Sequence, residues 1–195
     1  MDPFMELLQI RKYLGGRLVL DQVDLAIHPG QSHMLIGENG AGKSTICKIA
    51  SGDLSPDAGE IRVDGVRKVF TDPREASLCG IRCVHQEQMV FPELTVAENI
   101  FIGLERNLSW LPVLLDQRRM FEDCVRVFRE LHLRLDPNAP MGRLGLGEQR
   151  MVEIVRAAMV NPRLIVVDEA TASLSEPDRQ NIFALLRMLM ARGVG

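Results

Sequence analysis

Gly37-Glu38-Asn39-Gly40-Ala41-Gly42-Lys43-Ser44-Thr45 is the stretch on which the fold of this chain turns. An apolar run, His33-Met34-Leu35-Ile36, precedes it, and helical spacing from Ser44 to Ala50 follows it. That order predicts strand, glycine-rich loop, helix. The spacing G-x-x-x-x-G-K-S bends a loop whose backbone N–H groups point inward at a chain of phosphates. Glycines are required because side chains block a close approach and some positions need φ > 0. The helix N-terminus adds partial positive charge where the anion sits. In this reading Lys43 reaches the β- and γ-phosphates and Ser44 holds Mg²⁺. The expectation is a nucleoside triphosphate site formed by Gly37, Glu38, Asn39, Gly40, Ala41, Gly42, Lys43, Ser44 and Thr45.

Working outward, 195 residues suit one domain with room for an inserted lobe. Hydrophobic residues make up 46% of the chain, enough for a sizeable core. The net charge is −3 with both signs intermixed, and aromatics are 5%. This argues against a protein that lives on nucleic-acid electrostatics, so no nucleic-acid partner is expected. No apolar run reaches the length of a membrane span. The N-terminus lacks a basic region followed by a small-residue cleavage site, so no signal peptide is read. Met1 to Phe4 reads as well as an appended stretch before a start at Met5. Cys47, Cys79, Cys83 and Cys124 form no C-x-x-C pair, and no His completes a zinc pattern beside Cys79 and Cys83. They are read as reduced, structural thiols.

The first third is β-rich. Leu18 to Ile27 alternates, Pro29-Gly30 turns the chain, and Asp64-Gly65 within Ile61 to Val69 is a hairpin signal. Ile81-Arg82-Cys83-Val84 is a short apolar run that leads into His85-Gln86-Glu87. Thr95 and Glu98 form a capping box, predicting a helix from about Val96 to Leu104. Asn107 to Leu115 reads as irregular. Between Asp116 and Leu133, Met120, Cys124, Val127, Phe128 and Leu131 share one helical face, read as core packing. Leu135 to Gly147 is a Pro/Gly-rich loop, and Glu148 to Val160 resumes helical spacing before Asn161-Pro162 stops it. Ser175-Glu176-Pro177-Asp178 caps a last helix with Ile182, Leu185, Leu186 and Leu189 inward.

Leu164-Ile165-Val166-Val167 reads as a strand buried on both faces, ending in Asp168-Glu169. In open α/β sheets ligands bind beyond the carboxyl ends of strands, where the phosphate loop also emerges. If the two strands are neighbours, Asp168 faces the Mg²⁺ held by Ser44, and Glu169 is placed to polarise an attacking water. Gln86, after another short strand, offers an amide to Mg²⁺ or to that water.

Taken together these residues resemble the ATPase subunits of ABC transporters, most of all the carbohydrate-import group of ribose, xylose and autoinducer type. Gly37 to Thr45 resembles their Walker A, and Val84-His85-Gln86-Glu87 their Q-loop. Leu94 to Phe101 is similar to the segment that follows the Q-loop. Met151-Val152-Glu153-Ile154 resembles the helix after their signature, and Asp168 to Leu174 the Walker B running into the D-loop. The resemblance runs from about Leu7 to the end.

It implies an α/β P-loop NTPase of ABC type: a mainly parallel core sheet flanked by helices, an N-terminal antiparallel β lobe and an inserted helical lobe. Residues 1–86 and 161–195 would form the ATP-binding core with its β lobe, and 87–160 the helical lobe. It implies ATP and Mg²⁺ as cofactors. Glu169, Gln86 and Lys43 would act in catalysis, and Ser44, Gln86 and Asp168 would be metal ligands. In that family each ATP is sandwiched between the Walker residues of one domain and the signature of another, and the resemblance implies the same here. The implied partners are membrane permease subunits, a second nucleotide-binding domain and, indirectly, a periplasmic or extracellular solute-binding protein. The implied place is the cytoplasmic face of the cell membrane.

The chain departs from the family pattern at several points. The family signature is close to Leu-Ser-x-Gly-Gln, whereas this chain has Leu144-Gly145-Leu146-Gly147-Glu148. Gly145 removes a Ser that donates to a γ-phosphate, a hydrogen bond worth about 1.5–3 kcal/mol. Glu148 puts a carboxylate near an anion. Because a signature serves the partner's nucleotide, the site on Lys43 and Glu169 is expected to be competent and the site completed by Gly145 weak. Tyr13 is the candidate to stack on adenine, although the family register points to Leu14. The family's switch His would lie on a strand just after Gly193-Val194, and His28, His33, His85 and His132 all stand elsewhere. The stretch therefore reads as part of a longer protein. Two alternatives accompany this reading: a soluble, non-transport ABC ATPase, and a nucleotide-binding fragment with little hydrolysis of its own.

Overall fold

A computed structural model describes residues 2–38, 40–85, 89–108, 111–168 and 174–195. In chain order its elements are β1 (Met5–Leu14), β2 (Arg17–Ile27), α1 (Lys43–Ala50), β3 (Ala58–Val63), β4 (Val66–Lys68), α2 (Pro73–Leu78) and β5 (Ile81–Val84). There follow α3 (Val96–Phe101), β6 (Asn107–Leu108), β7 (Leu111–Leu115), α4 (Gln117–Glu130), α5 (Leu146–Ala158), β8 (Leu164–Val167) and α6 (Glu176–Ala191). They group into two units. One is Met1–Val84 with Asn161–Asp168 and Leu189–Gly195; the other is His85–Val160 with Glu169–Met188.

In the first unit four strands form an antiparallel sheet in the order β2-β1-β3-β4. β1 is central, pairing Met5 with Ile27 on one side and with Val63 on the other. Alternation alone did not reveal β1 because the strand is bulged. Gln9 has φ +51°, and the register slips between Leu7 and Ile10. The Asp24 carboxylate holds this kink, accepting from the Gln9 N–H at 2.7 Å and from Gln9 Nε2 at 2.6 Å. A bulge bends its strand and increases the local twist. The β3–β4 turn is the expected Asp-Gly hairpin: Asp64 and Gly65 have φ +52° and +73°, as a two-residue primed turn demands.

Phe4 is part of the core of this unit. Its side chain is 1% exposed within the core that includes Met5, Leu7, Ile27, Ile49 and Phe70. Its N–H donates to the Ile27 carbonyl at 2.8 Å, and the Arg163 guanidinium stacks 4.2 Å from its ring centre. That guanidinium also bridges both Asp64 oxygens, at 2.6 and 2.7 Å, which holds the Asp64 carboxyl below its ordinary range. The helix α2 is a further addition to the expected elements. Asp72 caps it, accepting from the Arg74 and Glu75 amides at 2.7 and 3.1 Å, and Pro73 starts it.

β5 and β8 pair in parallel, from Ile81 opposite Leu164 to Val84 opposite Val167. The apolar run that predicted β8 is what burial on both faces requires. The run His33–Ile36, expected as a strand beside it, joins no ladder among the described residues, and Ile36 is 87% exposed. A strand is defined by its hydrogen-bonded neighbour. Successive N–H groups of a strand point to opposite edges; Leu164 donates to the Gly80 carbonyl at 3.2 Å and Ile165 to that of Gly195 at 3.0 Å. The second edge of β8 is thus met by Gly195.

In the second unit the capping box at α3 is formed as expected. The Thr95 hydroxyl accepts from the Glu98 amide at 3.2 Å, and Glu98 Oε2 accepts from the Thr95 amide at 2.8 Å. α3 stops at Phe101, short of the expected Leu104. The expected irregular stretch Asn107–Leu115 instead forms an antiparallel hairpin of β6 and β7. Asp116 caps α4 by accepting from the Arg119 amide at 3.0 Å, and Met120, Cys124, Phe128 and Leu131 are buried with Val127 half-buried. α5 starts at Leu146, before the expected Glu148, because Gly145 is its N-cap.

Candidate functional site

The phosphate loop runs into α1, whose N-cap Gly42 has φ +90°. A Cβ there would lie 2.7 Å from Leu20 Cδ2 and 3.1 Å from the Val19 carbonyl, so β2 presses on the loop at this point. Glycine alone meets both the left-handed backbone and the missing space. Among the described residues no side chain caps α1, and no acidic residue lies in its first turn. Its leading amides therefore keep their donor capacity for an anion. Lys43 Nζ donates to the Gly37 and Glu38 carbonyls, each at 2.8 Å, which holds the ammonium over the loop. The loop is closed by the Ala41 amide donating to the Glu38 carbonyl at 3.1 Å.

Asp168 stands at the carboxyl end of β8, 8% exposed. Its N–H donates to the Val84 carbonyl at 3.1 Å, which continues the pairing with β5 past Val167. Its Oδ1 accepts from the Ser44 hydroxyl at 3.1 Å. The fold thus brings together two residues 124 positions apart, one at the start of α1 and one at the end of β8. A hydroxyl and a carboxylate oxygen side by side are hard donors of the kind Mg²⁺ takes. Thiols nearby do not compete. Burial, and behind it the charge of Asp168, pushes the Cys47 thiol up to about 11, and burial pushes that of Cys83 up to about 12. Both stay protonated at neutral pH, and a soft cation needs thiolate. The donor set therefore fits Mg²⁺.

Asn39, Gln86 and Glu169 lie outside the described residues, so of the expected site the structure assembles the remaining loop residues with Asp168. Tyr13 sits near the turn end of β1 with its side chain exposed, and its N–H donates to Asp57 Oδ2 at 2.6 Å. Leu14 beside it is exposed as well.

At the signature segment Gly145 carries half of a capping box. Its N–H donates to Glu148 Oε2 at 3.0 Å, and with no side chain of its own it cannot complete the other half. Gln149 Nε2 donates to the Leu144 and Met141 carbonyls at 3.0 and 3.3 Å. Gly147 is fixed by crowding, since a Cβ there would lie 2.3 Å from Asp178 Cγ. What sequence reasoning missed is the buried ion pair between Arg150 and Glu153 on α5. The available signal was two opposite charges three apart inside a run otherwise fit for burial, Met151-Val152 and Ile154-Val155.

Comparison with known proteins follows the same residues. The profile of the ABC transporter family matches residues 20–172. The chain is 40% identical over 194 residues to the ribose import ATP-binding protein RbsA of Chelativorans sp., covering 100% of this chain and 37% of that protein. It is 41% identical, over 100% of its length and 38% of the relative, to a putative ribose/galactose/methyl galactoside import ATP-binding protein of Burkholderia cenocepacia. It spans little more than a third of the length of these relatives. Among solved structures it resembles a nucleotide-free ATP-binding cassette from an ABC transporter, with TM-score 0.82 and 28% identity over 98% of this chain and 79% of that one. It also resembles the ADP conformation of an ATP-binding cassette of an ABC transporter, with TM-score 0.86 and 29% identity over 100% and 79%. The matched region takes in the loop at Lys43, β5, α5 and the Asp168 end of β8 together, and the chain belongs to the ABC transporter family.

Proposed function

We propose that this chain is the first nucleotide-binding domain of a sugar importer's ATP-binding subunit, binding Mg·ATP and hydrolysing it once assembled with its partners. The observation that carries the reading is the Ser44–Asp168 contact at 3.1 Å beside an uncapped helix start with Lys43 above it. The backbone amides from Gly37 to Thr45 bind the triphosphate. Lys43 exchanges the Gly37 and Glu38 carbonyls for phosphate oxygens. Ser44 and Asp168, with Gln86, would hold Mg²⁺. When bound, that ion would supply charge neutralisation for the triphosphate. Glu169 orients the attacking water, and Tyr13 packs against the adenine.

Residues 87–160 serve as the helical lobe that meets the permease, and 1–86 with 161–195 as the core. The partners in this reading are permease subunits, a second nucleotide-binding domain and an external solute-binding protein. The place is the cytoplasmic face of the membrane, reached through the permease, a reading that the import ATP-binding relatives support. Among the described residues no helix is long and apolar enough to cross a membrane. The names of the relatives, ribose and galactose importers, support a sugar as the solute class.

The test is ATP turnover in the assembled transporter. Glu169→Gln should lower kcat by about 10²–10⁴-fold, as loss of a general base does, while nucleotide binding persists. Lys43→Ala should lose both. An unchanged rate in Glu169→Gln would remove the assigned roles.

A further inference from the structure

Arg150 and Glu153 lie on α5 with side chains 4% and 5% exposed, joined at 2.8 Å. A buried ion pair is weak as a source of stability, because desolvation cancels much of the attraction and apolar side chains often do as well. This pair does something apolar side chains cannot. Arg150 Nη1 also donates to the His85 carbonyl at 2.7 Å, and Glu153 Oε1 accepts from the Met89 N–H at 2.8 Å. One turn further along, Arg156 Nη1 donates to the Met89 carbonyl at 3.1 Å. Helix α5 therefore grips the main chain at two points, His85 and Met89.

His85 is the residue that follows β5. The carbonyl of Val84, its covalent neighbour, accepts the Asp168 N–H at 3.1 Å, and Asp168 Oδ1 accepts from Ser44. We propose that Arg150 and Glu153 are positioning residues for ATP hydrolysis, fixing the chain as it leaves the strand end to which Asp168 is bonded. The inference rests on the functional reading above. It adds a device that acts on the rate and leaves nucleotide affinity alone, because neither side chain belongs to the phosphate loop.

The test uses the complete polypeptide assembled with its permease. Glu153→Gln keeps an acceptor for Met89 but removes the charge that holds Arg150. Arg150→Lys keeps charge and donor. The double variant Arg150→Met with Glu153→Leu replaces the pair by apolar groups, a change that buried pairs commonly tolerate, and so keeps a folded protein in hand. Glu153→Gln and the double variant should lower kcat by about 10–100-fold, the scale of a small misplacement at a reacting centre. KM for ATP should stay within about twofold. Amide exchange at Met89 should be faster in the double variant, which removes its acceptor, and Arg150→Lys should keep most of kcat. A folded double variant with the parent's kcat overturns the inference while leaving the ATPase reading intact. A parent that neither binds nor hydrolyses Mg·ATP overturns that reading, and this inference with it.

Discussion

At Ser44 one hydroxyl tells two functions apart. It lies in the first turn of α1, and it touches Asp168 across the fold. Ser44→Ala should therefore cost little stability but weaken ATP binding by about tenfold in Mg²⁺ and hardly at all in EDTA. A fluorescent-nucleotide titration under both conditions checks this, since the loss of a charge-assisted contact is worth about 1.5–3 kcal/mol. The phosphate loop was legible because each of its demands is local: a left-handed backbone at Gly42, a cation at 43, a hydroxyl at 44. The steric wall that Leu20 and Val19 present to Gly42 was not legible, for it comes from a strand more than twenty residues earlier in sequence. Nor was the Arg150–Glu153 pair, whose partners are main-chain atoms that carry no sequence signal.

Elements repeat the contrast between local and distant causes. The box Thr95–Glu98, the Asp64-Gly65 turn and the run 164–167 were readable because cap, turn and double burial each leave a short imprint. Thr95→Ala should lower unfolding free energy by about 1 kcal/mol, within the 0.5–2 kcal/mol typical of a lost cap, read by urea titration. β1 escaped notice because the bulge at Gln9 breaks the period of two, and its stabiliser Asp24 lies on another strand. The hairpin Asn107–Leu115 and the unladdered run His33–Ile36 erred in opposite directions, since strand pairing is decided by a neighbour and not by the run itself. The start of α5 yields a sharper forecast. A Cβ on Gly145 meets nothing nearer than Glu148 Oε2 at 3.8 Å, so serine fits there without strain. Gly145→Ser should complete the capping box and raise stability by about 0.3 kcal/mol. In the assembled transporter it should also raise the nucleotide affinity of the opposing half-site; no gain in affinity would count against the assigned weakness.

For the whole molecule, the cysteines set a limit on alkaline stability. All four are free. Burial raises Cys47 from an ordinary 9.0 to about 11, and Cys83 and Cys124 to about 12. As pH climbs past about 9, the unfolded chain releases these protons before the folded one does. Stability is therefore full below pH 9 and falls progressively toward pH 11–12. Urea midpoints at pH 8 and pH 10 should show the drop, and Cys124→Ala should lessen it at a fixed cost in packing. The family was legible in the order of several short motifs along nearly the whole chain, which no single motif establishes.

The central claim is that the amides of the 37–45 loop, Lys43 and the Ser44–Asp168 pair together grip a triphosphate with its metal. Calorimetric titration of Mg·ATP into the folded chain tests it most directly. The account predicts saturable binding at one site per chain, abolished in Lys43→Ala although that variant keeps its fold. A folded parent chain that gives no saturable heat at millimolar Mg·ATP would contradict it.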